Sequence, residues 1–145
     1  DRMAEEEPEE PVEPETGSGA FLLPDGSKYD GEWRLVDGAR QRDGHGRYID
    51  TFAQTYEGEW SNDKMHGRGR FRFATRAVYE GEFVENAYSG SGKYTFPDGS
   101  YYEGGFTDGQ MHGPGAFTDA QGVVWAGKFY MGCGPGVPGT AAVVA

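Results

Sequence analysis

The chain has 145 residues, 25 of them glycine, with 36% hydrophobic residues, 14% aromatic residues and a net charge of −11. Glycine well above its usual share, with Tyr and Phe in place of Leu, Ile and Val, suits thin sheets with many turns and excludes a layered domain with a thick aliphatic core. The acidic balance argues against general nucleic-acid binding, which needs Lys and Arg to displace counterions, and against an anionic bilayer.

A single cysteine, Cys133, leaves no intrachain disulfide and fits a reducing compartment. No apolar run reaches the length of a membrane-spanning helix. Residues 1–15 hold eight acids and one base, Arg2, for −7, while the remaining residues hold 16 acids and 12 bases, for −4. Residues 1–16 therefore read as an acidic disordered tail, suited also to a basic partner and unlike a secretory leader. Asp1 in place of a start methionine leaves room for a longer parent chain.

After this tail comes half a unit at 17–28, Gly17-Ser18-Gly19-Ala20-Phe21 through Pro24-Asp25-Gly26-Ser27. Whole units follow. Tyr29-Asp30-Gly31-Glu32-Trp33 opens the first, and Gly44-His45-Gly46-Arg47-Tyr48 answers it across a four-residue insertion. Tyr56-Glu57-Gly58-Glu59-Trp60 comes 27 residues later, then Tyr79-Glu80-Gly81-Glu82-Phe83, Tyr102-Glu103-Gly104-Gly105-Phe106 and Trp125-Ala126-Gly127-Lys128-Phe129 at steps of 23. Gly67-Arg68-Gly69-Arg70-Phe71, Gly90-Ser91-Gly92-Lys93-Tyr94 and Gly113-Pro114-Gly115-Ala116-Phe117 each begin 11 residues after their unit's first aromatic. A fixed period of this size marks a repeat architecture.

Each element alternates with period two, which is strand spacing. Tyr, Gly and Trp of one element share a face; Glu57 and Glu59 share the other, within reach of Arg68, Arg70 or Arg72 across a hairpin. A glycine beside each aromatic leaves space for a ring to lie across the strand. Polar turns at 61–64 and 107–110 close the hairpins, and Pro97-Asp98-Gly99-Ser100 joins one hairpin to the next. Ala53 and Arg76 occupy the glycine position of that joining turn and should take φ < 0 or store strain. The expected fold is all-β: an elongated single-layer antiparallel sheet of tandem β-hairpins with about ten strands, stacked along its length.

The pattern Tyr-x-Gly-x-Phe/Trp followed by Gly-x-Gly-x-aromatic over residues 17–130 resembles the MORN repeat family (membrane occupation and recognition nexus). The stretch from Gly92 to Trp125 resembles in particular the end of a small member of that family. The resemblance implies an array 17–130, with the half repeat 17–28 and repeats starting at 29, 56, 79, 102 and 125, and a Gly/Pro/Ala/Val tail or cap at 131–145. In the fifth unit Gly136 is in register, but Pro138 stands where the second glycine belongs and has no N–H for a ladder, so the sheet should end there. The family further implies no catalytic centre, no cofactor, and roles in ciliary, junctional and cytoskeletal scaffolds.

Two surfaces are candidates for binding. The aromatic face, with Trp33, Tyr56, Trp60, Tyr79, Phe83, Tyr102, Phe106 and Trp125, is first of all a core; the same row would make a groove for a partner helix or peptide. Lys64, Arg68, Arg70 and Arg72 form a basic cluster for a phosphate or an acidic partner, but the glutamates on neighbouring strands favour a solvated ion-pair ladder. The sheet edges could pair with a partner strand or a second copy to give a homodimer. His45, His66 and His112 are too dispersed for a metal. Ser89 to Lys93 lacks the glycine spacing of a phosphate loop, and Cys133 has no base partner.

The expected function is a non-enzymatic protein-binding scaffold in a ciliary (axonemal) or other cytoskeletal assembly of the cytoplasm. A peripheral membrane module for phosphoinositides and a regulatory domain of a larger enzyme are the alternatives.

Overall fold

The computed structural model describes residues 13–138; the expectations for residues 1–12 and 139–145 lie outside the described residues. Among the described residues, ten strands form one antiparallel sheet in sequence order. They are β1 (Thr16–Leu22), β2 (Lys28–Val36), β3 (Ala39–Ile49), β4 (Thr55–Ser61), β5 (Lys64–Arg72), β6 (Val78–Val84), β7 (Ala87–Thr95), β8 (Tyr101–Thr107), β9 (Gln110–Thr118) and β10 (Val124–Phe129). The expected hairpin array is thus the observed fold.

Hairpins β2–β3, β4–β5, β6–β7 and β8–β9 close through two residues with positive φ, for example Asn62 (50°) and Asp63 (66°), or Asp108 (49°) and Gly109 (77°). Such turns match the right-handed twist of the strands they join. Each tip bonds to the previous hairpin: Asp63 N–H to the Arg42 carbonyl, Asn86 N–H to Met65 and Gly109 N–H to Tyr88, each at 2.9 Å. The insertion in the first whole unit only lengthens β2 and β3 at their tip, and Gly46 still pairs with Gly58.

A bulge recurs in every whole hairpin. Gly58 pairs with Gly69 and Trp60 with Met65, so Glu59 alone faces His66, Gly67 and Arg68. The Glu59 carboxylate accepts the Arg68 N–H at 2.5 Å, and Glu32 and Glu82 do the same for His45 and Ser91. Gly67 turns the bulge at φ +88°, against the Glu59 carboxylate, where a Cβ would be strained and crowded. Gly105 replaces the glutamate in the fourth whole unit, and that cap is absent there.

The turns between hairpins share one frame of two backbone bonds, such as Phe73 N–H to Ala77 and Arg76 N–H to Phe73. Within it Gly26, Gly99 and Gly122 have φ of 84–89°, and Ala53 (63°) and Arg76 (77°) take the same left-handed shape. The alternative of φ < 0 at these two residues is not used, because it would break the shared frame; the strain is kept instead. Asp25 and Asp98 brace their turns by accepting the N–H of Ser27 and Ser100 at 2.9 Å. The Ser27 and Ser100 hydroxyls donate to the same two carboxylates, and these bonds to the ionised form, with the N–H bonds, hold both carboxyls below the usual range.

Candidate functional site

Four tyrosines lead the repeats, Tyr29, Tyr56, Tyr79 and Tyr102, and each is at most 1% exposed. Each ring lies over a glycine of the next strand: Tyr29 over Gly46, Tyr56 over Gly69, Tyr79 over Gly92 and Tyr102 over Gly115, in the space where a Cβ would stand. Each hydroxyl donates to a carbonyl three residues on, Tyr56 to Glu59 at 2.7 Å and Tyr79 to Glu82 at 2.8 Å. Burial is the main cause that pushes the Tyr29 hydroxyl up to about 12, and it raises Tyr56, Tyr79 and Tyr102 as well.

Edge-to-face contacts make one chain of these rings. Tyr56 meets Trp60 of its own unit and Phe83 of the next, both at 5.0 Å. Tyr79 meets Phe83 at 5.1 Å and Phe106 at 5.0 Å, and Tyr102 meets Phe106 at 5.2 Å and Phe129 at 4.6 Å. Each such pair contributes about 0.5–1.5 kcal/mol beyond its area. A sheet without a second layer therefore seals its core by overlapping the rings of successive repeats.

This packing places the sequence-derived groove residues in two groups. Tyr56, Trp60, Tyr79, Phe83, Tyr102 and Phe106 are 0–4% exposed and form the floor of the face. Trp33 is half-buried at one end, and Trp125 is 45% exposed at the other. The accessible wall is built from half-buried rings packed on that floor: Tyr48, Phe71, Phe73, Tyr88, Tyr94 and Phe96. Tyr88 stacks on Tyr79 at 4.5 Å.

Two arginines join the aromatic face, which the alternation alone did not single out. Arg42 pairs across the hairpin with Trp33, lies 4.3 Å over the Trp60 ring and bonds Asp63 at 2.7 Å. Arg40 lies 4.8 Å over Trp33 and 5.9 Å over Phe21. Arg42 occupies the place that Met65, Tyr88 and Met111 hold in later hairpins. Recognising it required knowing that the bulge shifts the register before this residue.

The opposite face carries a row of alternating charge through successive pairs: Asp30, Arg47, Glu57, Arg70, Glu80, Lys93 and Glu103. Arg70 bonds Glu80 at 3.0 Å, and Lys93 lies 3.8 Å from Glu103. Arg68 pairs opposite Glu82, Arg72 opposite Thr55 and Val78, and Lys64 opposite Ser61 at a hairpin tip. The basic cluster thus lies along the single strand β5, with Glu57, Glu80 and Glu82 on the strands beside it. No group of three or more metal-ligating side chains occurs among the described residues.

At the C-terminal end the fifth unit begins in register. Met131 and Gly132 turn as Asp108 and Gly109 do, with φ of 49° and 80°, and Gly132 N–H bonds the Met111 carbonyl at 3.0 Å. The chain then leaves the ladder. Gly134 seats the Phe129 ring, Pro135 lies against Gly127, and Gly136 seats Trp125. The described part of the tail thus covers Phe129 and packs against Trp125, which stays 45% exposed.

Fold and surfaces together define an open array of hairpin repeats, one in which the candidate sites are faces and edges. A family model for the MORN repeat matches residues 56–78, 79–101 and 102–124. Residues 56–124 of this chain are three consecutive MORN repeats. No curated protein matches the chain. A solved structure similar to it is "SAS-4 (dCPAP) TCP domain in complex with a Proline Rich Motif of Ana2 (dSTIL) of Drosophila Melanogaster". It is 16% identical with a TM-score of 0.41, and the match covers 75% of this chain and 63% of that one.

Proposed function

We propose that the chain is a non-catalytic adaptor that holds a partner helix or peptide along its aromatic face, as a subunit of a ciliary, axonemal or other cytoskeletal assembly. The observation that supports this is the connected wall of half-buried rings from Phe71 to Phe96 over a sealed aromatic floor. The floor supplies stiffness; the wall, with Trp33 and Trp125 at its ends, supplies contact area at low side-chain entropy cost. A phosphoinositide reading of the charged face is weaker, because Arg68 and Arg70 both stand opposite glutamates.

Crosslinking mass spectrometry on the native assembly tests the proposal. Partner crosslinks should cluster beside Phe73, Tyr88 and Tyr94, and Tyr88→Ala should weaken the partner about tenfold or more. Partner crosslinks confined to the charged face would overturn it. Salt-sensitive liposome binding, lost in Arg68→Glu with Arg70→Glu, would support the lipid reading instead.

A further inference from the structure

The array begins with half a unit, and its two ends are not equivalent. In each whole unit the second strand carries a glycine on which the tyrosine of the first strand lies: Gly46, Gly69, Gly92 and Gly115. β1 is a second strand without a first. Its corresponding glycine is Gly19, which pairs with Gly31 of β2 as Gly69 pairs with Gly81 of β6. A Cβ at Gly19 would meet no atom of the described residues within 4 Å. Among the described residues, four seats of this type hold a ring, and the fifth is empty.

The backbone next to that seat is open as well. Among the described residues, β1 lies at the end of the sheet and pairs with β2 alone. Its sequence, Thr16-Gly17-Ser18-Gly19-Ala20-Phe21-Leu22, has no charge, no proline and no bulge, the devices that usually keep an edge from pairing. Leu22 is 68% exposed. The other edge differs: β10 carries Lys128, and the tail seats Trp125 and Phe129 on Gly136 and Gly134.

We propose that the β1 edge is a docking site for an extended strand of a partner protein that carries aromatic-x-Gly, added antiparallel so that its ring lies on Gly19. The whole repeats specify the occupant. Tyr56 stands opposite Phe71 and Gly58 opposite Gly69; the incoming aromatic stands opposite Phe21 and the incoming glycine opposite Gly19. A second copy pairing through its own β1 does not meet this rule, because that strand reads Gly-x-Phe in the same direction. A second copy's β10 has the right order, Trp125-Ala126-Gly127, but Gly136 and Pro135 of its own tail already lie against Trp125 and Gly127. This inference rests on the adaptor reading and names one of its partner sites.

The test uses the full chain and a synthetic peptide copied from residues Thr55–Ser61, which contains Tyr56-Glu57-Gly58. Amide resonances of Ser18 to Leu22 should shift on titration, and the Tyr→Ala and Gly→Val peptides should bind at least tenfold more weakly. The changes are in the peptide, so loss of binding cannot come from misfolding of the chain. Shifts confined to Tyr88, Tyr94 and Phe96 would overturn this inference and leave the adaptor reading standing. Equal binding by the Tyr→Ala peptide, or no binding by the parent peptide, would also overturn it, as would a dimer by light scattering that the peptide fails to dissociate. A native assembly whose crosslinks reach no protein would remove the adaptor reading itself.

Discussion

Replacing Arg76 by glycine should stabilise the protein. Arg76 holds φ at +77° in the turn between β5 and β6, its side chain is exposed, and its N–H bond to the Phe73 carbonyl at 3.0 Å survives the change. Holding a residue with a Cβ in the left-handed region costs about 1–2 kcal/mol. Glycine returns roughly 0.5–1 kcal/mol of that through its greater freedom in the unfolded chain. The net gain is about 0.5–1 kcal/mol, a rise of about 2–4 °C in Tm for a domain of this size. The reciprocal control is Gly99→Ala, at φ +88° in the equivalent turn. A Cβ there meets nothing within 4 Å, so its expected loss of ~1 kcal/mol is a backbone effect alone. Thermal and urea unfolding of both variants measure the pair. An unchanged or lower Tm for Arg76→Gly, with Gly99→Ala neutral, would refute the argument from shared turn geometry.

Gly69→Ala drives a methyl group into the Tyr56 ring and should cost ~3 kcal/mol, read as a lower urea midpoint. Tyr79→Phe removes a buried bond to the Glu82 carbonyl, 2.8 Å long, and should cost ~1 kcal/mol in the same assay. The tyrosines also set a pH limit. Burial raises Tyr29 from 10.0 to about 12, so both states keep the proton below pH 10, and the unfolded chain loses it first above that. The tyrosine contribution to stability should be fully present below pH 10 and fall as the pH rises toward 12. A urea midpoint that stays level across that window would show that the tyrosine hydroxyls are not protected.

The repeat spacing carried most of the fold. Period-two alternation assigned the two faces, and the first aromatic and first glycine of each unit located the strands, because pairing and turn geometry are local properties repeated every 23 residues. The ring-over-glycine contact was legible for the same reason. Exposure was not. Tyr56 and Phe71 both fall on the aromatic face, yet one is at 0% and the other half-buried. That difference arises from the next repeat's Phe83 closing over Tyr56 at 5.0 Å, a contact between units that composition within a unit does not encode. Arg40 and Arg42 were missed because charge usually marks the solvated side. Their planar guanidiniums are satisfied on aromatic rings instead.

The two long margins of the sheet are under unequal constraint. At the margin formed by the two-residue turns, four extra residues are absorbed by lengthening β2 and β3, and the Gly46–Gly58 pairing beneath them is undisturbed. At the opposite margin, paired backbone bonds hold every turn to a single length, even where Ala53 and Arg76 suit it poorly. Grafted epitopes, tags or new recognition loops thus belong on the first margin, while the second acts as the hinge line that keeps successive hairpins in step.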